Sequence, residues 1–338
     1  MSDADDESPG SAGTTPRHQL VRSLGLLDIL MVGIAAMIGG SIFVLTGPAI
    51  GLAGSAVIVA FIINAIITLF TAMPYAELGS AMPEAGGGYL WVREGLPRPN
   101  AFISGWMAWL AHIIAGSLYA VSFASFLTGL LGMMNFSHNI LLLNVIPLEK
   151  FIAVVSIAVF TYINIKGTSE TGKTGDVVTI IQLGLIFVLI FAGLFVMSGN
   201  PNWKMNFSNF APMGIGGVVA AMGLTFIAFE GYEVIVQTGE EVKNPKRNIP
   251  RAIFISLGAV VVLYCLIAFV SIGAIFPTGI DSWMYIGKSG ELGIMKAAEL
   301  LVPYGAFIVL GGGLISTLAA LNATTFSSAR VAFAMGRN

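Results

Sequence analysis

The sequence predicts an all-α polytopic membrane protein with about eight transmembrane helices. Of its 338 residues, 56% are hydrophobic and only 10% are charged, and the mean hydropathy is +0.87, which is far from the composition of soluble domains. Uncharged windows recur along the chain, and a bilayer span needs roughly 20 apolar residues. These windows lack the alternating pattern of a membrane β-barrel, so the spans are expected to be helices.

The individual spans follow from these windows in order. The first window, 29–76, is too long for one helix, and the Gly-Leu-Ala-Gly stretch at 51–54 is a turn signal that divides it into an antiparallel pair. The second window, 99–148, holds one span and a polar external loop. The predicted spans are 24–50, 52–76, 101–131, 147–165, 177–198, 212–237, 252–276 and 302–334.

The positions of the basic residues predict the orientation. With the N-terminus inside, twelve of the 16 Lys and Arg residues fall on the inner side and four on the outer side. The positive-inside rule therefore predicts a cytoplasmic N-terminus. Residues 1–20 are expected to form a disordered acidic tail that lacks the features of a cleavable signal peptide. The transmembrane domain is expected to cover 21–338.

The composition also limits the function classes. The net charge is −2, and no basic cluster indicates nucleic-acid binding. Cys265 is the only cysteine, and no metal-ligand spacing or catalytic pairing of side chains occurs. We therefore expect neither an enzyme nor a protein with a metal or a bound cofactor, and the sequence leaves the oligomeric state open.

Small residues interrupt the first span, where the sequence reads AMIGGSIFVLTG over 36–47. An unwound turn at Gly39, Gly40 and Ser41 would expose backbone groups that lipid cannot satisfy, so a polar ligand would have to satisfy them. The alternative is that these small residues merely allow two helices to pack closely.

A second interruption is predicted in the sixth span, where FIAFEGYE occupies 226–233. Each carboxylate near the middle of a membrane costs about 2.5–3.5 kcal/mol and usually faces a cavity or an ion path. Glu230 is the deeper of the two carboxylates and Glu233 the shallower. The alternative is that the sixth span ends early and that Glu230 is a solvated residue.

The two interruptions open two successive units of five spans. An odd number of spans inverts the second unit relative to the first, which gives a first repeat at about 21–200 and an incomplete second repeat at about 205–338. Interrupted helices at matching positions of inverted repeats are typical of the binding site of a secondary transporter.

Five segments resemble the amino acid-polyamine-organocation (APC) superfamily of transporters. They stand in the family's order and span nearly the whole chain. The segments are MIGGSIFVLTG at 37–47, PYAELGSAMPEAGGGY at 74–89, FIAFEGYE at 226–233, EEVKNPKRNIPRAI at 240–253 and STLAALNATTFSSARVAFAMGR at 316–337. The end of the second segment, with Glu77, is expected to form a cytoplasmic loop.

The resemblance implies a LeuT-type inverted-repeat fold with helices 1 and 6 interrupted, and an amino acid permease in the plasma membrane that works by alternating access. The backbone amides of Gly39, Gly40 and Ser41 would hold the carboxylate of the substrate. The ammonium group would meet carbonyl groups of Met37, Ile227 and Glu230. Phe226 or Ile227 would close the pocket from outside.

Coupling stays open between protons, sodium and exchange. Glu233 matches an acidic position of the family near the hinge, so proton sensing is expected there. Glu230 departs from the usual apolar residue and would either select cationic substrates or carry the proton. Gln182 replaces a lysine of several proton-coupled relatives. Ser316 and Thr317 stand near a candidate cation site, which keeps sodium coupling as an alternative.

The length of the chain leaves a second hypothesis. The LeuT-type fold implies ten core helices, and eight spans are predicted here. The chain is therefore expected either to be a C-terminally truncated permease that transports once its remaining helices are present, or to be a truncated, transport-incompetent membrane protein that only binds substrate or a partner subunit.

Overall fold

The computed structural model describes residues 22–83, 87–134, 141–142, 146–166 and 171–337. These residues contain eight helices that are long and apolar enough to cross a membrane, and the predicted all-α polytopic fold class is confirmed. The spans are Leu26–Val44, Thr46–Ala81, Arg98–Met133, Leu148–Ile165, Thr179–Gly199, Gly214–Gln237, Pro245–Gly273 and Gly305–Phe333.

Some of the spans are a single α-helix, and others are divided into two shorter helices. The α-helices of the described residues are α1 (Leu26–Ile38), α2 (Ser41–Val44), α3 (Thr46–Ala53), α4 (Val57–Ala81), α5 (Gly87–Gly95), α6 (Arg98–Met133), α7 (Leu148–Lys166), α8 (Thr171–Gly199), α9 (Gly214–Thr225), α10 (Tyr232–Gln237), α11 (Pro245–Gly273), α12 (Ser282–Lys288), α13 (Gly293–Leu301) and α14 (Gly305–Arg337). Between α6 and α7, the short strands β1 (Leu141–Leu142) and β2 (Ile146–Pro147) pair antiparallel.

The chain turns at Gly54, inside the stretch that predicts a turn. Gly54 ends α3 with φ +60° and ψ −140°, a conformation that glycine adopts without steric cost. A short 3-10 segment, Gly54–Ala56, then leads into α4. The first two predicted spans are thus separate helical segments.

The centre of the bundle is formed by α11, which packs against both α1 and α4. The packing between α6 and α14 forms a second extensive contact. Outward-facing side chains are apolar, and Phe195 on α8 and Ile165 on α7 are 79% and 78% exposed. Lipid is as apolar as these side chains, so the helices associate by close packing and polar contacts.

The connection between the seventh and eighth predicted spans is helical. It contains α12 and α13, which pack against α3. A Cβ atom on Gly51 would lie 2.8 Å from the Cα atom of Gly287, so only glycine allows α3 and α12 to come this close. α12 and α13 therefore cover the segment that follows the first interruption.

The end of the second predicted span is helical where the sequence predicts a cytoplasmic loop. α4 continues through Glu77 to Ala81, and Gly87–Gly95 forms α5, so the expected cytoplasmic loop is largely helical. Residues 84–86 of that segment lie outside the described residues, as does the predicted tail at 1–20. The division into two repeats stays a prediction.

The two interrupted spans also meet at one end of the bundle. Leu24, just before α1, forms a parallel bridge with Val242, which follows α10. The Leu24 N–H donates to the carbonyl of Glu241 at 3.0 Å, and the Lys243 N–H donates to the carbonyl of Leu24 at 2.8 Å. These backbone hydrogen bonds link the start of the first span to the end of the sixth.

Candidate functional site

The first span is interrupted at the glycine pair. α1 ends at Ile38 and α2 begins at Ser41. Gly39 has φ +37° and ψ −139°, which residues with a side chain rarely adopt. The amides of Gly40 and Ser41 form no backbone hydrogen bond with any described residue. Buried backbone groups need a polar partner, so this turn can bind a polar ligand.

The sixth span is interrupted opposite this turn. α9 ends at Thr225, the segment Phe226–Phe229 forms a 3-10 turn, and α10 begins after Gly231, which has φ +127°. A Cβ atom on Gly231 would lie 2.7 Å from the carbonyl carbon of Ala36 and 2.8 Å from the nitrogen of Met37. The backbones of the two interrupted spans therefore touch at this glycine.

A polar side chain from α4 supports the end of α9. Asn64 is buried, and its Nδ2 atom donates to the carbonyl of Met222 at 2.8 Å and to Oγ1 of Thr225 at 3.0 Å. These bonds satisfy polar groups at the point where the helix ends. Asn64 thus holds the start of the second interruption in place.

Two other spans cover the first interruption. The hydroxyl oxygen of Tyr119, on α6, lies 2.9 Å from Oγ of Ser41. On α14, Cγ2 of Thr317 would lie 2.7 Å from a Cβ atom on Gly40. The glycine therefore leaves space for the neighbouring helix as well as allowing the turn.

Gln182, on α8, bonds directly to the interrupted segment. Its side-chain amide donates to the carbonyl of Gly39 and to Oγ of Ser316, which is 2.6 Å away, and the hydroxyl of Ser316 also donates to Gly39. The hydroxyl of Thr317 instead donates to carbonyls of its own helix. In the candidate cation site, the hydroxyl oxygen of Ser316 thus already accepts a hydrogen bond from Gln182.

The two carboxylates of the sixth span have different surroundings. Oε2 of Glu233 accepts a hydrogen bond from the N–H of Gly231 at 2.7 Å, and a carboxylate in the first turn of α10 also interacts favourably with the helix dipole. Glu230 is partly buried and interacts electrostatically with Glu233 and Tyr119. Among the described residues, Glu230 forms no ion pair. It is therefore a carboxylate whose charge an incoming cation could balance.

The apolar residues predicted to line the site differ in how deeply they are buried. Met37 is fully buried, and Ile227 packs against the cluster that contains Tyr119. The carbonyl of Ile227 accepts the N–H of Glu230 at 3.2 Å. Phe226 is 36% exposed at the end of α9. Ile227, rather than Phe226, is the residue that contacts the α6 side of the site.

The structure brings the predicted residues into one region built from spans one and six, with Ser316 and Thr317 of α14 against the first interruption. Sequence reasoning missed Tyr119, and it did not place Gln182 at the glycine turn. Both residues could have been identified as polar side chains within otherwise apolar spans, since a hydroxyl or amide group in a membrane helix usually forms a hydrogen bond with another helix. The role of each residue in binding stays a prediction.

Acidic, histidine and cysteine residues do not form a metal centre in the described part of the chain. No group of three or more such residues there is arranged to hold a metal ion. Cys265 is half-buried on α11 as a free thiol.

A family described as "Amino acid permease" matches residues 24–338 of the chain. The branched-chain amino acid permease BcaP of Bacillus subtilis is 31% identical over 344 aligned residues, which cover 97% of this chain and 70% of that protein. Human cationic amino acid transporter 4 is 29% identical, over 95% of this chain and 51% of its own length. The methylthioribose transporter of Bacillus subtilis is 28% identical, over 94% of this chain and 68% of its own.

These relatives are all named as transporters, and none is named as an enzyme. The chain spans about half the length of the human transporter and about 70% of the bacterial permease. The similarity extends over both interrupted spans.

Proposed function

Because the chain belongs to the amino acid permease family, we propose that it forms the substrate-binding part of a secondary active amino acid transporter that works by alternating access. One observation carries this proposal. The two interrupted spans touch where Gly231 meets Met37, and the amides of Gly40 and Ser41 are left without backbone partners in the described chain. Interrupted helices that meet in this way are typical of transporter binding sites. A five-plus-five inverted repeat of the LeuT type is part of the proposal.

In this proposal the turn formed by Gly39, Gly40 and Ser41, which the resemblance assigns to the carboxylate of the amino acid, holds that carboxylate. The amides of Gly40 and Ser41 can donate, since they are not used by α1, and N–H groups at a helix start favour an anion. The Gly39 N–H already donates to the carbonyl of Ala35 at 2.9 Å. Gly39 would therefore shape the turn rather than donate a hydrogen bond to the carboxylate. The carboxylate contacts would come from the other two amides.

The ammonium group of the amino acid would meet the main-chain carbonyls of Met37, Ile227 and Glu230. These groups belong to the facing ends of the two interrupted helices. The end of a helix that carries free carbonyl groups attracts a cation. The side chain of Ile227, and Phe226 if its exposed ring moves inward, would close the pocket.

Glu230 is proposed to select the side chain of the substrate or to carry a proton. It is partly buried and has no ion-pair partner among the described residues, and an unpaired carboxylate in a membrane span is costly. A cationic side chain would supply the missing partner. Relatives with both branched-chain and cationic names keep both substrate classes within the proposal.

Proton coupling is proposed for Glu230 or Glu233, and sodium coupling at Ser316 and Thr317 is the weaker alternative. A hard cation needs oxygen ligands with free lone pairs. Gln182 directs amide protons toward the carbonyl of Gly39 and the hydroxyl of Ser316, so a cation would have to displace this side chain. This arrangement favours protons or exchange over sodium.

The proposed location is the plasma membrane, with the N-terminus in the cytoplasm. The excess of basic residues on one side of the predicted spans supports the orientation. The lipid bilayer and the amino acid are the proposed partners.

The second candidate function is binding without transport. The matched relatives extend well beyond the length of this chain, and a chain of this extent could bind a substrate or a partner subunit without moving it. This hypothesis and the transporter hypothesis share the same binding site, so they differ only in the transport step.

Uptake into proteoliposomes tests the proposal. The chain is reconstituted alone and, in parallel, with C-terminal helices from a relative attached, and uptake of labelled leucine, arginine and alanine is measured. Imposed proton gradients, imposed sodium gradients and preloaded amino acid are compared, with protein-free liposomes as the control. We expect accumulation under a proton gradient, or exchange, and no stimulation by sodium.

The outcomes separate the two candidates. Binding of an amino acid without uptake in either form of the protein would favour the binding-only function. A lack of both binding and uptake for every labelled amino acid would refute the proposed site.

A further inference from the structure

A cluster of basic residues lies at the N-terminal end of α11. Lys243, Lys246, Arg247 and Arg251 are all exposed, and the apolar turns of the seventh span follow them directly. None of the four forms an ion pair with an acidic residue of the described chain. Arg247 and Arg251 are one helical turn apart, a spacing at which like charges repel each other. An anion bound between them would relieve this repulsion.

Arg247 and Arg251 share one face of α11 with apolar residues that also face outward. At about 100° of rotation per residue, this face covers a sector of about 80° and contains Arg247, Arg251, Ile255, Gly258 and Val262. Ile255 is 50% exposed and Val262 is 55% exposed, and Gly258 is exposed as well. The face is therefore cationic at the end of the helix and apolar in the turns that follow.

The length of this face matches one leaflet of a bilayer. With a rise of about 1.5 Å per residue, Arg251 and Val262 are about 16 Å apart along the helix axis. Half of a hydrocarbon core of roughly 30 Å is about 15 Å. A molecule with a charged group at Arg251 and an apolar chain that extends to Val262 would therefore lie within a single leaflet.

Gly258 leaves open space in the apolar part of the face. No neighbouring heavy atom of the described residues lies within 4 Å of a Cβ atom built at this position. The exposed side chains of Ile255 and Val262 stand one turn before it and one turn after it. The three residues thus form a shallow depression on the outer surface of α11, into which an acyl chain could pack.

We propose that this face of α11 binds one anionic phospholipid, with the phosphate on Arg247 and Arg251 and an acyl chain along Ile255, Gly258 and Val262. Guanidinium groups bind phosphate oxygens through paired hydrogen bonds. Under the proposed orientation this end of α11 is cytoplasmic, and clusters of four or more basic residues at the cytoplasmic end of a span are typical of anionic-lipid binding. The inference goes beyond the proposed function, because no residue of the amino acid site takes part in it.

Arg251→Gln tests the charged part of the proposal. The full chain is purified in detergent, and native mass spectrometry counts the bound lipid as palmitoyl-oleoyl phosphatidylglycerol is added. Phosphatidylcholine with the same acyl chains is the reference lipid. We expect the wild type to bind one phosphatidylglycerol more tightly than phosphatidylcholine. In Arg251→Gln the dissociation constant of phosphatidylglycerol is expected to rise about fivefold, which corresponds to about 1 kcal/mol, and the midpoint of thermal unfolding without lipid is expected to stay unchanged.

Lys246→Gln is the matched control for charge. It removes one positive charge from the same end of α11, but Lys246 lies about 100° around the helix from Arg247 and so outside the proposed face. Its affinity for phosphatidylglycerol is expected to stay close to that of the wild type. An equal loss in Lys246→Gln and Arg251→Gln would overturn the proposal, because it would show only a general attraction of anions to this end of the helix. Equal affinity of the wild type for the two lipids would also overturn it.

Gly258→Leu tests the apolar part, since leucine fills the open space without meeting another described residue. Gly184→Leu is its control, because Gly184 is an exposed glycine on α8 with equally open surroundings. We expect phosphatidylglycerol to bind more weakly to Gly258→Leu and as in the wild type to Gly184→Leu. Equal affinity in these two variants would refute the placement of the acyl chain. Displacement of the lipid from the wild type by an equal concentration of inorganic phosphate would show a site for free anions and refute the assignment to a lipid.

Discussion

Replacing Gly231 with alanine tests whether the two interrupted spans depend on direct backbone contact. The new Cβ atom would lie 2.7 Å from the carbonyl carbon of Ala36 and 2.8 Å from the nitrogen of Met37. Both are backbone atoms, which cannot rotate away as the end of a side chain can. The φ angle of +127° is also unfavourable for alanine. Both effects act on the folded protein.

The expected magnitude follows from these two effects. The backbone conformation costs roughly 1–3 kcal/mol, and forcing an extra carbon into a packed site costs roughly another 1–3 kcal/mol. Alanine also lowers the conformational entropy of the unfolded chain, which stabilises the folded protein by about 0.4–1 kcal/mol. We therefore expect Gly231→Ala to lower the free energy of unfolding by about 1–5.6 kcal/mol, as the sum of these terms, and to weaken amino acid binding.

The assay is unfolding in mixed micelles with increasing dodecyl sulfate, followed by the fluorescence of the five tryptophans. Gly223→Ala is the matched control in the same span, because no heavy atom lies within 4 Å of a Cβ atom at that position on α9. This control is expected to gain about 0.5–1 kcal/mol from the better helix propensity of alanine. A free energy of unfolding for Gly231→Ala that equals that of Gly223→Ala would refute the close contact between the interrupted spans.

Three further predictions concern binding, selectivity and pH. Gly40→Leu is expected to abolish amino acid binding, because even a Cβ atom would lie 2.7 Å from Thr317; unchanged affinity in a binding assay would move the site elsewhere. Glu230→Gln is expected to weaken lysine and arginine binding while neutral amino acids still bind, if Glu230 selects the substrate, or to retain exchange while pH-driven uptake disappears, if it carries the proton; no change in competition or uptake would exclude it from the site. Burial raises the pKa of the Glu291 carboxyl outside the spans, the charge of Glu149 raises it further, and Ser125 acts in the opposite direction, so the folded protein is expected to lose stability as the pH rises through the raised pKa. Glu291→Gln should remove this loss in unfolding midpoints measured across that range, and a midpoint with the same pH dependence in both proteins would contradict it.

The sequence by itself determined the eight membrane-length helices. Apolar length and the absence of charge are local properties, and they decide whether a segment can stay in a bilayer whatever its neighbours are. Gly39 and Gly231 could be singled out for a related reason, because the left-handed backbone that they adopt is restricted mainly to glycine.

Only the tertiary structure decided which side chains meet at these interruptions. The spans are apolar on all faces, so no periodic pattern indicates which face of α6, α8 or α11 points inward. Tyr119 and Gln182 come from two different spans, and their positions beside Ser41 and Gly39 depend on how each helix is rotated within the bundle. The packing of α12 and α13 on α3 depends in the same way on glycine contacts between segments that are distant in the chain. Such contacts are set by the shapes of neighbouring helices, which no local stretch of sequence contains.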